Sequence, residues 1–392
     1  MNKKAILAIF DGLGDWPVAE FGGKTPLEAA TTPNLDALAA ESITGMLCSV
    51  GRGIAPGSDI AHLSLFGYAP ETYYGGRGPI EASGVGIKLM GGDIAFRANL
   101  STVGDNLEII DRRAGRIEDV SELTKALDGM MVDDVECIVK PGTAYRAVLV
   151  LRGKDLSEKI SDIDPHGTES GLTDCKALTP EPNAVRTATI LNKFTKEAHK
   201  ILSSHPLNEQ RIKQGQPAAN YLLTRGAGKY SQVPSIEEKW HFKTACVAGG
   251  GLYKGIGAFL GMDVIPVEGA NALASTNIEA KFKKAIELLN TYDFVFVHVK
   301  ASDSLGEDGN FNGKKDFIEK IDKAAALFRD ISKDTLLVIT GDHSTPCYRK
   351  AHSSDPVPIM FRGKNVLVDN ITSFGERACA QGGMGIIEGR LF

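Results

Sequence analysis

The chain has 392 residues, 43% of them apolar and 24% charged, with a formal net charge of -5. That length exceeds what one hydrophobic core usually serves, so one large domain or two are expected, of ordinary globular composition. Acidic and basic residues are mixed along the chain, which argues against a basic stripe for nucleic acid, although a few local Lys or Arg suffice for a small anion.

The first apolar run, Ala5 to Phe10, is short, partly β-branched and apolar on both alternating faces, as in a strand buried within a parallel sheet. It stops at Asp11-Gly12. Thr32 is placed to cap a helix with Pro33 at its first position, running through Leu35, Leu38 and Ala39. Pro56-Gly57-Ser58-Asp59 reads as a glycine turn feeding a helix with Ser58 at its N-terminus. Residues near 91–180 hold short alternating segments, such as Asn106 to Ile110 and Ala144 to Leu151, and Asn183 to Ser204 reads as one amphipathic helix. Thr276-x-x-Glu279 predicts a capping box opening a helix through Phe282, Ile286 and Leu289. A second strand, Phe294 to Val297, leads through His298 and Lys300 to Asp303. Phe317, Ile318, Ile321, Ala325, Phe328 and Ile331 keep helical spacing before the third strand, Leu336 to Ile339, which exits at Thr340-Gly341-Asp342-His343.

Strand, helix, strand predicts an α/β fold with a mostly parallel sheet flanked by helices. The middle predicts an inserted α+β domain, so that residues 1–90 and 207–392 form the sheet domain and 91–206 the insertion. The glycine-rich residues 365–392 carry too weak a pattern to place.

Six cysteines lie far apart with no CxxC pair, so free thiols in a reducing compartment are expected rather than a disulfide framework or structural zinc. Asn2-Lys3-Lys4 is followed by only six apolar residues before Asp11, too few for a signal peptide, and no stretch approaches the ~20 of a membrane span. The expectation is a cytoplasmic protein with neither membrane nor nucleic-acid partner.

Asp11, Asp303 and Asp342 each follow a strong strand, and ligands of open α/β sheets bind outside the carboxyl ends of the strands. Concentrated carboxylates repel unless a cation sits among them. A divalent metal is the simplest answer, and nitrogen from His343 and His352 suits Mn or Zn better than an all-oxygen site does. Ser58, at a helix N-terminus that favours a bound anion, is the candidate nucleophile, activated if a metal holds its hydroxyl. Arg97, Arg112, Arg113, Arg116, His166, Arg225 and Lys254 are candidates for clamping a phosphate or carboxylate.

The sequence resembles the archaeal-type, cofactor-independent phosphoglycerate mutases of the alkaline phosphatase superfamily over nearly its whole length. The resemblance rests on Asp11-Gly12-Leu13-Gly14-Asp15, Thr25-Pro26-Leu27-Glu28-Ala29-Ala30, Pro56-Gly57-Ser58-Asp59-Ile60-Ala61 and Gly76-Arg77-Gly78-Pro79-Ile80-Glu81-Ala82. It continues in Asp93 to Asn99, Asp111 to Arg116, Thr224 to Gly228, His298 to Asp303 and Gly341 to Pro346. It implies an alkaline-phosphatase-like fold and the interconversion of 3- and 2-phosphoglycerate through a phosphoserine at Ser58, without bisphosphoglycerate. It also implies two divalent metals, with Mn expected ahead of Co, Zn or Mg. One would be held by Asp11, Ser58, Asp342 and His343, the other by Asp303, His352 and a residue four positions after Asp303. The family has histidine there, in Asp-x-x-x-His-Asp-Gly, whereas this chain has Glu307. A carboxylate still ligates Mn and makes the site harder, so Glu307 is expected to ligate and to shift metal preference. A weakened second site is the other outcome. A phosphatase, another phosphomutase or a non-catalytic metal-binding homologue would share the strand-end residues.

Overall fold

A computed structural model describes residues 4–165 and 172–389. In chain order the strands are β1 (Lys4–Phe10), β2 (Ile43–Cys48), β3 (Ile94–Val103), β4 (Ile109–Asp111), β5 (Met130–Val132), β6 (Val135–Pro141) and β7 (Arg146–Arg152). They continue as β8 (Tyr221–Lys229), β9 (Thr244–Val247), β10 (Asp263–Val264), β11 (Phe294–Val299), β12 (Thr335–Thr340), β13 (Val357–Arg362) and β14 (Ile386–Glu388). The chain divides into two compact units, residues 1–74 with 234–392, and residues 75–233.

The first unit is built on an eight-stranded sheet in the order β10-β9-β11-β1-β12-β13-β2-β14. Among these strands β13 alone runs against the rest. The three apolar runs are adjacent at its centre: Ala8 is in register with Val297 on one side and Ile339 on the other. Because the connections put helices on the sheet faces, alternate residues on both sides are buried, which is why these strands read as continuous apolar runs. Ile6, Ala8 and Phe10 share one core with Val295, Val297, Leu337 and Ile339 and with helices Pro33–Ala39, Ile278–Leu288 and Phe311–Arg329. Phe282 and Phe328 stack there at 4.4 Å between ring centroids, each burial contributing about 2–3 kcal/mol.

Two helix starts differ in detail from the local reading. Thr32 stands at the N-cap with Pro33 behind it, but its side chain makes no capping bond. Asp322, from the neighbouring long helix, takes the free N–H groups of Asn34 and Leu35 instead, at 2.9 and 2.8 Å. The cap expected of Thr276 falls to Asn277, whose side chain accepts from Ala280 N; the Thr276 hydroxyl accepts from Asn271 N at 3.1 Å. The unplaced C-terminal stretch closes the sheet, β14 pairing in parallel with β2, while Phe374 and Cys379 enter the core.

The second unit carries an antiparallel sheet, β4-β3-β7-β6-β5, with β8 also paired to β3. The Pro182–Ser203 helix lays Leu191, Phe194, Ala198 and Leu202 against it. The units part at 74/75 and 233/234 rather than at 90/91 and 206/207. The reason is packing that local pattern does not report. Helix Arg77–Gly84 sets Ala82 against Ala95, Val148 and Val150, and a Cβ at Gly78 would lie 1.9 Å from the Ala95 carbonyl oxygen. At the other end β8 pairs with β3 from Ile94 to Ser101. All six cysteines are buried and free. Among the described residues no helix is long and apolar enough to cross a membrane.

Candidate active site

The carboxyl ends of β1, β11 and β12 lie side by side, so parallel register delivers Asp11, Asp303 and Asp342 to one edge of the first unit. The approach is close. Gly12 takes a left-handed φ of +61°, and a Cβ there would meet Asp303 Cα and Thr345 Oγ1 at 2.6 Å, so only glycine fits. Its N–H donates to Asp342 Oδ1 at 3.0 Å, as does the N–H of His343.

With Oδ1 of Asp342 so occupied, its Oδ2 has no hydrogen-bond partner, and neither has Oδ1 of Asp11. His343 Nε2 stands 3.2 Å from the former and 3.5 Å from the latter. Ser58, first residue of the Ser58–Leu65 helix, brings its Oγ to 3.1 Å from the same Nε2. The Asp11, Asp342 and His343 donors all lie within 4.8 Å of one another, as do those of Asp303, His343 and His352. Thr345 links the two groups: its hydroxyl donates to Asp303 Oδ1 at 2.7 Å and stands 3.1 Å from His343 Nδ1. That leaves it as the acceptor for an Nδ1–H, so that Nε2 of His343 faces the cluster. His352 is oriented alike, its Nδ1 on the Pro56 carbonyl at 2.8 Å and its ring stacked on His343 at 3.6 Å.

The charges register this crowding. Burial, and then the charge of Asp342, push Asp11 up to about 7. Burial opposes the charge on Asp342 too, but His343 outweighs it and holds that carboxyl well below the usual range. His343 resists burial through Asp342 and is raised to about 9. Lys300 is paired with Asp303 and lies 3.5 Å from Asp11 Oδ2. Two converging carboxylate oxygens without partners, beside imidazole nitrogens aimed inward, are a donor set that fits divalent cations of the Mn or Zn type.

Of the expected ligands, Asp11, Ser58, Asp342 and His343 converge, and Asp303 and His352 meet around His343. Glu307 stands apart. It closes the Ala301–Glu307 helix one turn beyond Asp303, with its carboxylate 52% exposed and 4.0 Å from His352 Nε2. Burial, then the charge of Asp303, raise its pKa.

The expected anion-binding residues scatter more. Arg97 and Arg225 are cross-strand neighbours on β3 and β8. Arg97 pairs with Glu81 at 3.2 Å and is lowered to about 10 by burial and then by Arg77, with Arg225 and Arg146 adding to the crowding. Arg112 forks onto the buried Asp164 at 2.6 and 2.7 Å, and Arg225 approaches the same carboxylate at 3.8 Å. Arg113 is exposed, 5.6 Å from the Tyr145 ring centre, and Arg116 is exposed on a left-handed backbone. Lys254 belongs to the first unit, on helix Gly251–Phe259, and His166 lies outside the described residues.

Local reasoning did not pick out Lys300, Thr345, Tyr253 and His62, which border the cluster, nor Arg77 and Arg146, which crowd Arg97. His62 had a signal, one helical turn after Ser58, where its Nδ1 lies 2.6 Å from the Ser58 carbonyl. Lys300 stood in the strand exit already singled out. Tyr253 had none, because it meets Asp11 only through the packing of its helix on the sheet.

The model of the 2,3-bisphosphoglycerate-independent phosphoglycerate mutase family matches residues 39–208. A protein of that name from Methanococcus aeolicus is 49% identical over 388 residues, covering 98% of this chain and 95% of its own. Its namesake numbered 1 from Methanocaldococcus jannaschii is 48% identical, covering 98% and 94%. Among solved structures, a cofactor-independent phosphoglycerate mutase from Thermoplasma acidophilum superposes with a TM-score of 0.74 at 38% identity, over 99% of this chain and 97% of its own. A Pyrococcus horikoshii protein reaches 0.84, also at 38% identity, over 99% and 94%. Identity of this order across the whole length, on a sheet whose strand ends carry the donors described, means that the chain belongs to the 2,3-bisphosphoglycerate-independent phosphoglycerate mutase family.

Proposed function

We propose that this enzyme interconverts 3-phosphoglycerate and 2-phosphoglycerate through a phosphoserine at Ser58, at a centre for two divalent cations. The observation that carries the reading is the placement of Ser58 Oγ, 3.1 Å from His343 Nε2 and beside the partnerless oxygens of Asp11 and Asp342. Asp11, Ser58, Asp342 and His343 would hold one cation. Asp303 and His352 would hold the other, with Glu307 moving in from its exposed position. Bound cations would lower the pKa of the serine hydroxyl and neutralise charge on the phosphoryl oxygens. The mixed oxygen and nitrogen donors favour Mn, with Co, Zn and Mg as the metals to compare.

Ser58 Oγ attacks phosphorus, the bond from phosphorus to O3 of the glycerate breaks, and the serine proton ends on O3. The 2-hydroxyl then attacks the phosphoserine, the bond from phosphorus to Ser58 breaks, and the 2-hydroxyl proton returns to the serine. The start of the Ser58–Leu65 helix presents N–H groups and the positive end of its dipole to the phosphoryl group. Lys300, raised above its ordinary range because Asp11 and Asp303 outweigh the effect of burial, stays charged beside it. Arg97, Arg112 and Arg225, with Arg113, Arg116, His166 and Lys254, are the proposed holders of the glycerate and its carboxylate. A glycerate that leaves before the second transfer would expose the phosphoserine to water, whose attack on phosphorus breaks the bond to Ser58 and releases free phosphate.

The test is turnover of 3-phosphoglycerate without bisphosphoglycerate, in metal-free buffer and then with each metal. The expected result is metal-restored 2-phosphoglycerate, with Ser58→Ala inactive and a phosphorylated Ser58 peptide trapped from the native chain by mass spectrometry. Free phosphate as the main product, or a Ser58→Ala variant that still turns over, would overturn the scheme.

A further inference from the structure

Tyr253 sits on the sheet-facing side of helix Gly251–Phe259 and is 2% exposed. Its ring stacks on His298 with 3.5 Å between centroids and 17° between planes. Its hydroxyl donates to Oδ2 of Asp11, a residue 242 positions away. The same oxygen is approached by His298 Nε2 at 3.2 Å and Lys300 Nζ at 3.5 Å. One oxygen of Asp11 therefore accepts from Tyr253 and faces His298 and Lys300, while the other, Oδ1, has no hydrogen-bond partner and faces His343.

We propose that Tyr253 is a positioning residue of the metal centre, its hydroxyl tying down Oδ2 of Asp11 so that Oδ1 is presented to the cation. The assignment rests on the metal-centre reading above. A carboxylate free to turn about its terminal torsion would spend part of its time with the wrong oxygen inward; a donor held by a stacked, buried ring removes that freedom. A tyrosine serving only to fill space would need its ring and not its hydroxyl, since the stacking on His298 and the approach to His62 at 5.3 Å are contacts of the ring.

The experiment compares the full-length native chain with Tyr253→Phe, which keeps the ring, and with Asp342→Asn. Mn binding is read by electron paramagnetic resonance and by calorimetry on metal-free protein. Thermal melting without metal verifies that both variants are folded. Tyr253→Phe is expected to weaken Mn binding about 10–100-fold, the usual loss when a partner behind a ligand is removed. Its turnover at saturating Mn should return to within a few-fold of the native rate, because the ligands themselves remain. Mn affinity within two-fold of native would overturn the assignment, and so would a lost turnover rate at unchanged affinity, which would place the hydroxyl's action on Ser58. If the native chain binds no Mn, or Asp342→Asn binds it as well as native, the metal centre fails and the Tyr253 assignment fails with it.

Discussion

Lys314 has no exposed side-chain surface, and neither has its partner Asp15. Its ammonium donates to Asp15 Oδ2 at 2.8 Å and to the carbonyls of Gly14 and Thr345 at 3.0 Å each. It therefore staples the loop after β1, which carries Asp11, to the loop after β12, which carries Asp342 and His343. Lys314→Met keeps most of the volume and removes all three bonds. The Thr345 carbonyl loses its donor, at about 1–3 kcal/mol for a group left unsatisfied, while the Gly14 carbonyl keeps the bond from Thr345 N at 3.0 Å. Asp15 loses its counter-charge but keeps bonds from Trp16 N, Cys347 N and the Cys347 thiol. Breaking a buried pair from one side costs about 3–5 kcal/mol, and the surviving bonds to Asp15 place this case near 4. Adding Asp15→Asn removes the stranded charge and should recover about 1–2 kcal/mol. The assay is urea unfolding followed by tryptophan fluorescence, since Trp16 and Trp240 both lie in the first unit and report its stability. A loss below about 1 kcal/mol for Lys314→Met, or a double variant less stable than the single, would refute the reasoning.

Two further outcomes are expected. Glu307→His should move metal preference from Mn toward Zn and Co, since imidazole replaces a hard carboxylate next to His352, and competition of Mn against Zn for the metal-free chain would measure it; an unchanged preference means that Glu307 is not a ligand. Glu376 accepts from the Thr25 hydroxyl at 2.7 Å and from Asp15 N at 3.2 Å, and burial raises it from 4.5 to about 7. A raised carboxyl favours the folded state when protonated, so its contribution is complete below about pH 4.5 and lost as pH rises through about 7. Glu376→Gln should abolish that loss, roughly 2 kcal/mol between pH 5 and 8 in denaturation series, and parallel native and variant profiles would contradict it.

Much of the site was legible because its parts are encoded locally. Three buried strands show as apolar runs, and a parallel sheet places whatever follows each run at one edge, so Asp11, Asp303 and Asp342 could be grouped before any contact was known. Ser58 was legible for a similar reason, since a glycine turn entering a helix is a pattern of adjacent residues. His352 was a nitrogen candidate from the residues themselves, but its grouping with Asp303 and with position 307 came from the family resemblance, whose pattern marked Glu307 as unusual; the structure leaves that carboxylate 4.0 Å from His352 and half in solvent.

What lay beyond the sequence are pairings between distant residues whose local setting says nothing of the partner. Asp322 replaces Thr32 as the donor's partner at a helix start, Lys314 is buried because two loops close over it, and Tyr253 reaches Asp11 across 242 positions. The same holds for the unit boundaries, where a short helix and β8 join β3 through contacts that no composition shift marks. Composition and period thus determined the three central strands, the helices read beside them and which strand ends carry acids, because burial repeats along the chain with the geometry of each element. The tertiary structure alone decided which oxygen of Asp11 is left open and which arginines share a partner, because those depend on packing among elements that the chain brings together only on folding.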